Sequence, residues 1–242
     1  MAKTKGFELL RAAAPTMSIG IVTANLLSLG SEITLLESTG AKLAHFDVMD
    51  GCFCPMMTVG PPFIKAIKTT LLKDVHLMID EPLEKVAEYV AVGADIVTIH
   101  IEACSNAHRV LQKLGSLTNA NDSERGVVRG VAVNPGTPLE ALEPLLDELD
   151  YISLLAVNPG WGGQKYIPAT TARFARVKRM VADCGKDILV GIDGGITKAN
   201  IAEIAATGAD IIVAGSAVFD GKTPEANARF MLDTVAGIHS GR

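Results

Sequence analysis

Short apolar runs rich in Val, Ile and Leu alternate with amphipathic segments along nearly the whole chain. The apolar runs are "MSIGIV" (17–22), "KLAHFDVM" (42–49), "DVHLMI" (74–79), "DIVTIHIE" (95–102), "VRGVAVNP" (128–135), "YISLLAVNPG" (151–160), "DILVGIDGG" (187–195) and "DIIVAGS" (210–216). Their length and β-branched content predict strands. The segments between them, such as "SEITLLEST", "PPFIKAIKTTLL", "LEKVAEYVAVG", "NAHRVLQKLG", "LEALEPLLDEL", "TTARFARVKRM", "KANIAEIAATG" and "PEANARFMLDTVAG", carry helical spacing. Gly40, Gly93 and Gly208 stand at three expected helix ends, followed by "AK", "AD" and "AD" and a new strand. That recurrence marks a repeated βα unit.

Eight βα units call for a parallel sheet, and at 242 residues they predict a closed (β/α)8 TIM barrel. An open doubly wound sheet would place G-x-G-x-x-G after its first strand. "GIVTANLLSLG" lacks it. We expect residues 1–242 to form one barrel domain, with 1–16 as an N-terminal lead-in. The polar stretch 116–128, "SLTNANDSERGVV", is expected to be an extended loop before the fifth strand.

Composition narrows the function. Hydrophobic residues make up 48%, enough for a large core, and the formal net charge of -5 leaves no basic excess for nucleic acid. An anionic substrate must then be held by local devices. No apolar run is long enough to span a bilayer, and Glu8 and Arg11 interrupt any signal-peptide core. Cys52, Cys54, Cys104 and Cys184 form neither a zinc-ribbon spacing nor a disulfide framework. Reduced thiols in a cytoplasmic protein are expected, with Cys52 and Cys54 as packing residues.

Several strands carry polar residues where only apolar ones are needed. His45 and Asp47 share a strand face, as do His100 and Glu102 on the fourth strand; His76 lies on the third, and Asp193 ends the seventh. In barrels of this class the chemistry sits at the C-terminal ends of the strands. A single interior histidine is usually just a hydrogen-bonded core residue. Four residues at strand ends, His45, Asp47, His76 and Asp193, favour a shared divalent metal instead. A His and Asp donor set suits Zn, Fe(II), Mn or Co. His100 divides evenly between support of that site and plain packing. His108, in a helix, and His239, in the tail, are expected to face solvent. Asp50 reads as a turn residue bracing the loop before Phe53.

Three glycine clusters follow on consecutive strand ends: "NPGWGGQ" (158–164), "DGG" (193–195) and "AGSA" (214–217). Glycines let backbone N–H groups approach an anion, and the loops after strands 7 and 8 are the recurring phosphate site of these barrels. A metal-like cluster thus faces a phosphate grip. Asp47 and Asp193, from separated strands, would lie on opposite faces of a substrate. One takes a proton beside a carbonyl and the other returns one.

These residues fall within "HFDVMDGCFCPMMTVG", "DVHLMIDEP", "GADIVTIHIEA", "NPGTPLE", "NPGWGGQKYIP", "GIDGGI" and "GADIIVAGSAVF". Together they resemble the ribulose-phosphate 3-epimerase family, from about Met17 to the last helix. The resemblance implies a (β/α)8 barrel of the ribulose-phosphate-binding type that interconverts D-ribulose 5-phosphate and D-xylulose 5-phosphate as a homo-oligomer. It implies one divalent metal on His45, Asp47, His76 and Asp193, with Asp47 and Asp193 as acid and base. Substrate and phosphate contacts would come from His76, Gly160, Trp161, Gly162, Gly163, Asp193, Gly194, Gly195, Gly215 and Ser216. Met49 and Met78 match methionines that cap the reacting carbons. The sequence departs from the family pattern at Gly20 (usually Ser), Met56 (Asn), Leu155 (Met) and Trp161 (Phe), and the 116–128 loop is longer. Those departures leave room for another ketose phosphate, such as allulose 6-phosphate or a tetrulose phosphate. A decarboxylase of the orotidine-phosphate type would need Asp-x-Lys-x-x-Asp at the second strand's end, where "DVMDG" has no Lys. A non-catalytic sugar-phosphate sensor would be expected to lack a base or ligand, and none is missing.

Overall fold

The computed structural model describes residues 4–240, with His239 and Ser240 described by backbone alone. Eight strands run β1 (Thr16–Gly20), β2 (Leu43–Met49), β3 (Leu72–Met78), β4 (Ile96–His100), β5 (Val128–Val133), β6 (Tyr151–Leu155), β7 (Leu189–Asp193) and β8 (Ile211–Ala214). They pair in parallel in sequence order, and β8 closes on β1. The helices are α1 (Lys5–Ala13), α2 (Leu29–Ser38), α3 (Pro61–Ala66), α4 (Val86–Ala91), α5 (Ala107–Ser116), α6 (Ala169–Cys184), α7 (Ile201–Ala206) and α8 (Pro224–Ser240). The expected (β/α)8 barrel is the observed fold.

Strand alternation divides the core in two. Residues such as Ala44, Phe46, Val75, Leu77, Val97 and Ile99 point outward and pack beneath the helices. The intervening positions point inward. At the N-terminal end of the barrel these are Leu43, Leu72, Ile96, Val128, Tyr151, Leu189 and Ile211, which form a separate apolar cluster with Phe7 and Leu10. Phe7 and Leu10 belong to α1, within the stretch read from sequence as a lead-in. Thr4 caps that helix by accepting from the Phe7 N–H at 3.2 Å, and the i, i+3 spacing turns both side chains onto the barrel floor. Gly191 is required beside this plug, because a Cβ there would lie 2.3 Å from the Tyr151 hydroxyl.

The repeat also has a structural device at this end. Asp95, Asp150 and Asp210 precede β4, β6 and β8. Each accepts a main-chain N–H from the neighbouring strand, from Lys73, Arg129 and Val190, at 2.8–3.1 Å. Gly40, Gly93 and Gly208 close their helices at positive φ, as the sequence predicts.

Four expectations change. The segment 139–149 forms a 3-10 stretch over Leu139–Leu145, because Pro144 has no N–H to continue an α-helix. α3 stops at Ala66 rather than running to 72, since Glu37 Oε1 accepts from the Thr69 hydroxyl and from both the N–H and hydroxyl of Thr70. Glu102 lies in a 3-10 turn (Ile101–Ala103) beyond β4. Cys52 is exposed, so only Cys54 is a packing residue of that pair. All four cysteines are free. The stretch between α5 and β5 is the expected loop. His108 is exposed, while the His239 side chain lies outside the described residues. No helix among the described residues is long and apolar enough to cross a membrane.

Candidate active site

Inward positions change character toward the C-terminal ends of the strands. Above the apolar floor come His45 and Asp74, then Asp47, His76, His100 and Asp193, and finally Met49 and Met78. The strand period of two sets these layers, so the i, i+2 pairs His45/Asp47 and Asp74/His76 each present two polar groups to the interior.

His45, Asp47, His76 and Asp193 converge. One ligand atom from each lies within 4.8 Å of the others. His45 Nε2 is 3.2 Å from Asp47 Oδ1 and 4.0 Å from Asp193 Oδ2. His76 Nδ1 is 3.5 Å from Asp47 Oδ1 and 3.4 Å from Asp193 Oδ2. At the base, His45 Nδ1 meets Asp74 Oδ2 at 2.8 Å, and the Ser18 hydroxyl donates to the same oxygen at 2.6 Å. A carboxylate only accepts, so His45 donates from Nδ1 to Asp74, and that contact leaves Nε2 as the nitrogen that faces Asp47.

The electrostatics are those of a cation site. Burial would discharge His76, yet the carboxylates of Asp193 and Asp47 beside it outweigh burial and push its pKa up to about 9. His45 is likewise raised well above its ordinary value: burial opposes the charge, and the carboxylates of Asp74 and Asp47 overcome it. Asp47 is held far below the usual carboxylate range. Burial alone would raise it, and the charge and hydrogen bond of His45, with the charge of His76, reverse that. His76 Nδ1 is buried with no hydrogen-bond partner. An orphaned imidazole nitrogen, a second imidazole and two carboxylates in one spot fit a divalent metal in nitrogen and oxygen coordination.

A cavity of about 660 Å³ opens above the cluster. Asp47, His76 and Asp193 form part of its wall, as do Met49 and Met78. All three glycine-rich loops line it, through Gly160, Trp161, Gly162, Gly163, Gly194, Gly195, Gly215 and Ser216. Gln164 ties the first loop together: its amide donates to the carbonyls of Asn158 (2.6 Å) and Trp161 (3.0 Å) and accepts from the Asn158 N–H (3.2 Å). Gly195 sits at φ +68°, and a Cβ there would come 2.5 Å from the Tyr166 nitrogen. The positions that depart from the family pattern, Gly20, Met56, Leu155 and Trp161, line the same cavity.

The structure settles the smaller expectations. Asp50 is a turn residue: it accepts from the N–H groups of Cys52, Phe53 and Asp80. His100 lies outside the metal-like cluster, with Nε2 2.9 Å from His76 Nε2 and Nδ1 3.1 Å from Glu102. Burial lowers the His100 pKa to about 4. Two site residues escaped the sequence reading. Asp74 buttresses His45; its signal was the i, i+2 spacing to His76, the same as that of His45 and Asp47. Thr58 gave no signal, because it comes from the loop after β2. Its hydroxyl donates to the Asp47 carbonyl (2.5 Å) and accepts the Met49 N–H (2.9 Å), fixing the strand end that carries Asp47.

A closed parallel barrel with a His/Asp cluster and three glycine loops at its C-terminal mouth defines a (β/α)8 barrel enzyme. The match to a family model extends over residues 16–219, and the chain belongs to the ribulose-phosphate 3-epimerase family, an isomerase family. It is 42% identical to ribulose-phosphate 3-epimerase of Bacillus subtilis over 202 residues, covering 82% of this chain and 89% of that protein. It is 41% identical to ribulose-phosphate 3-epimerase of Escherichia coli K12 over 204 residues, covering 83% and 87%. Among solved structures, KGPDC from Streptococcus mutans superposes with a TM-score of 0.67 at 14% identity, covering 93% of this chain and 99% of that one. Phosphoribosyl anthranilate isomerase from Thermotoga maritima gives 0.60 at 16%, covering 92% and 98%. At those identities the two structures speak to the fold alone.

Proposed function

We propose that this chain epimerises C3 of a phosphorylated ketose, foremost D-ribulose 5-phosphate to D-xylulose 5-phosphate. The observation that carries the proposal is the convergence of His45, Asp47, His76 and Asp193 beneath a cavity bordered by three glycine loops. The four residues would hold one divalent metal, Zn, Fe(II), Mn or Co, which when bound supplies a Lewis acid for the negative charge developing on substrate oxygens. Asp47 and Asp193 act on opposite faces of C3. The ionised carboxylate takes the C3 proton as the C2 carbonyl becomes an enediolate oxygen. The protonated one then delivers a proton to the other face, which inverts the centre. Met49 and Met78 cover the reacting carbons and keep water from them. The loops at 160–163, 194–195 and 215–216 bind the phosphate. The protein works in the cytoplasm as a homo-oligomer.

A second reading, a 3-epimerase for another ketose phosphate such as allulose 6-phosphate or a tetrulose phosphate, is favoured by one observation: Gly20, Met56, Leu155 and Trp161 all line the sugar cavity. A non-catalytic sugar-phosphate-binding barrel has no such support, since both carboxylates are in place. A panel of tetrulose, pentulose and hexulose phosphates, followed by NMR with each metal, tests the assignment. D-Ribulose 5-phosphate is expected to give the highest kcat/KM, and a higher value for another ketose would transfer the assignment to it.

A further inference from the structure

The imidazole of His100 and the carboxylate of Glu102 lie outside the four-residue cluster, and the mechanism above does not use them. His100 is fully buried at the end of β4, stacked on His76 with ring centroids 4.9 Å apart and against Phe53 at 4.7 Å. Its Nε2 lies 2.9 Å from His76 Nε2, and its Nδ1 lies 3.1 Å from Glu102 Oε2. Glu102 is fixed in turn, because Oε1 accepts from the Asn134 N–H at 2.8 Å and from the Thr137 hydroxyl at 2.5 Å. Arg173 holds that corner by donating to the carbonyls of Asn134 and Thr137.

Proton placement in this chain is determined from its far end. Both oxygens of Glu102 face donors. A carboxylate accepts only, so neutral His100 carries its hydrogen on Nδ1 and offers a lone pair at Nε2. Two imidazole nitrogens at 2.9 Å share one hydrogen, which must then sit on His76 Nε2. In the neutral imidazole that a metal ligand must be, the lone pair of His76 is thereby left on Nδ1, the atom that faces Asp47 and Asp193.

We propose that Glu102 and His100 form a positioning relay that fixes the tautomer and ring orientation of His76, so that His76 Nδ1 is presented as a metal ligand. This rests on the metal-site reading given above and deepens it. The two ligand histidines are thus braced differently. His45 leans directly on a carboxylate, Asp74, whereas His76 reaches its carboxylate through a second imidazole.

The relay makes different demands on three variants. His100→Phe keeps an aromatic ring packed against Phe53 and His76 but removes the acceptor. His100→Gln places an amide oxygen where Nε2 stood and restores it. Glu102→Gln keeps its carbonyl oxygen toward Asn134 and Thr137, which leaves an amide donor facing His100. His100 must then accept at Nδ1 and carry hydrogen on Nε2, against the hydrogen of His76.

The test is Zn²⁺ affinity by competition with a fluorescent chelator, together with 15N NMR of the imidazoles in the Zn²⁺-loaded full chain. Affinity is expected to fall about 10- to 100-fold in His100→Phe and in Glu102→Gln, and to recover in His100→Gln. In the wild-type protein the spectra should show His100 protonated on Nδ1 and His76 on Nε2. Wild-type affinity in His100→Phe, or a wild-type His100 protonated on Nε2, would overturn the relay while leaving the metal site standing. A wild-type chain that binds no Zn²⁺, Fe(II), Mn²⁺ or Co²⁺ would overturn both. The tautomer measurement needs no variant, so a misfolded mutant does not shield the proposal.

Discussion

His45 Nδ1 lies 2.8 Å from Asp74 Oδ2 at the buried base of the site, and this contact aims His45 Nε2 at Asp47. Asp74 is itself buried and also accepts the Ser18 hydroxyl. Asp74→Asn can present an amide donor to His45 Nδ1, which allows the wrong tautomer. Metal affinity, measured by chelator competition, should fall about 10- to 100-fold. Unchanged affinity would mean that His45 is held by packing alone.

Asp47 and Asp193 each serve twice in the proposed chemistry, as metal ligand and as proton carrier. Asp47→Asn or Asp193→Asn should lower kcat by at least about 10²- to 10⁴-fold, the range for a positioned acid or base alone. Circular dichroism should show a folded barrel in both. Near-normal turnover in either variant would remove that residue from the mechanism.

Gly195 joins β7 to the cavity at φ +68°, and its missing Cβ makes room for the Tyr166 backbone. Gly195→Ala must strain the turn or push the 158–166 loop away. We expect a stability loss of about 1–3 kcal/mol by denaturant unfolding. KM for the phosphorylated substrate should rise about tenfold or more, with a smaller change in kcat. A KM within twofold of wild type would show that this loop does not hold the phosphate.

The thiols differ in reactivity. Burial, with the nearby carboxylates of Glu81 and Glu102, pushes the Cys104 pKa up to about 12. The thiolate is the reactive form, and a raised pKa makes it scarcer at any lower pH. At pH 8, well below that value, the Cys104 thiol stays protonated. Mass spectrometry after brief iodoacetamide treatment should therefore find Cys52, which is exposed, alkylated well before Cys104. Equal labelling would place Cys104 in a more open setting.

The order of strands and helices was legible because each βα unit ends in its own punctuation and each strand is a short apolar run. The cluster was legible because His45 and Asp47 break an apolar strand at a spacing that points both inward. Three things were not. α1 lies in a stretch whose role depends on what it covers: Phe7 and Leu10 have meaning only against the barrel floor. Pro144 and the three hydrogen bonds into Glu37 shortened or tightened helices whose apolar spacing alone looked sufficient. The partnerships His45 with Asp74 and His76 with His100 join different strands. They depend on barrel register, which pairs His45 with Asp74 and which no single strand encodes.

Proton exchange at C3 tests the two-aspartate chemistry most directly. Metal-loaded protein is incubated with D-ribulose 5-phosphate in deuterated water and followed by 1H NMR. Removal by one carboxylate and return by the other predicts D-xylulose 5-phosphate bearing deuterium at C3, with formation of that deuterated epimer lost in Asp47→Asn and Asp193→Asn. Product that keeps its original C3 hydrogen, or the absence of C3 deuterium in every tetrulose, pentulose and hexulose phosphate supplied, would contradict it.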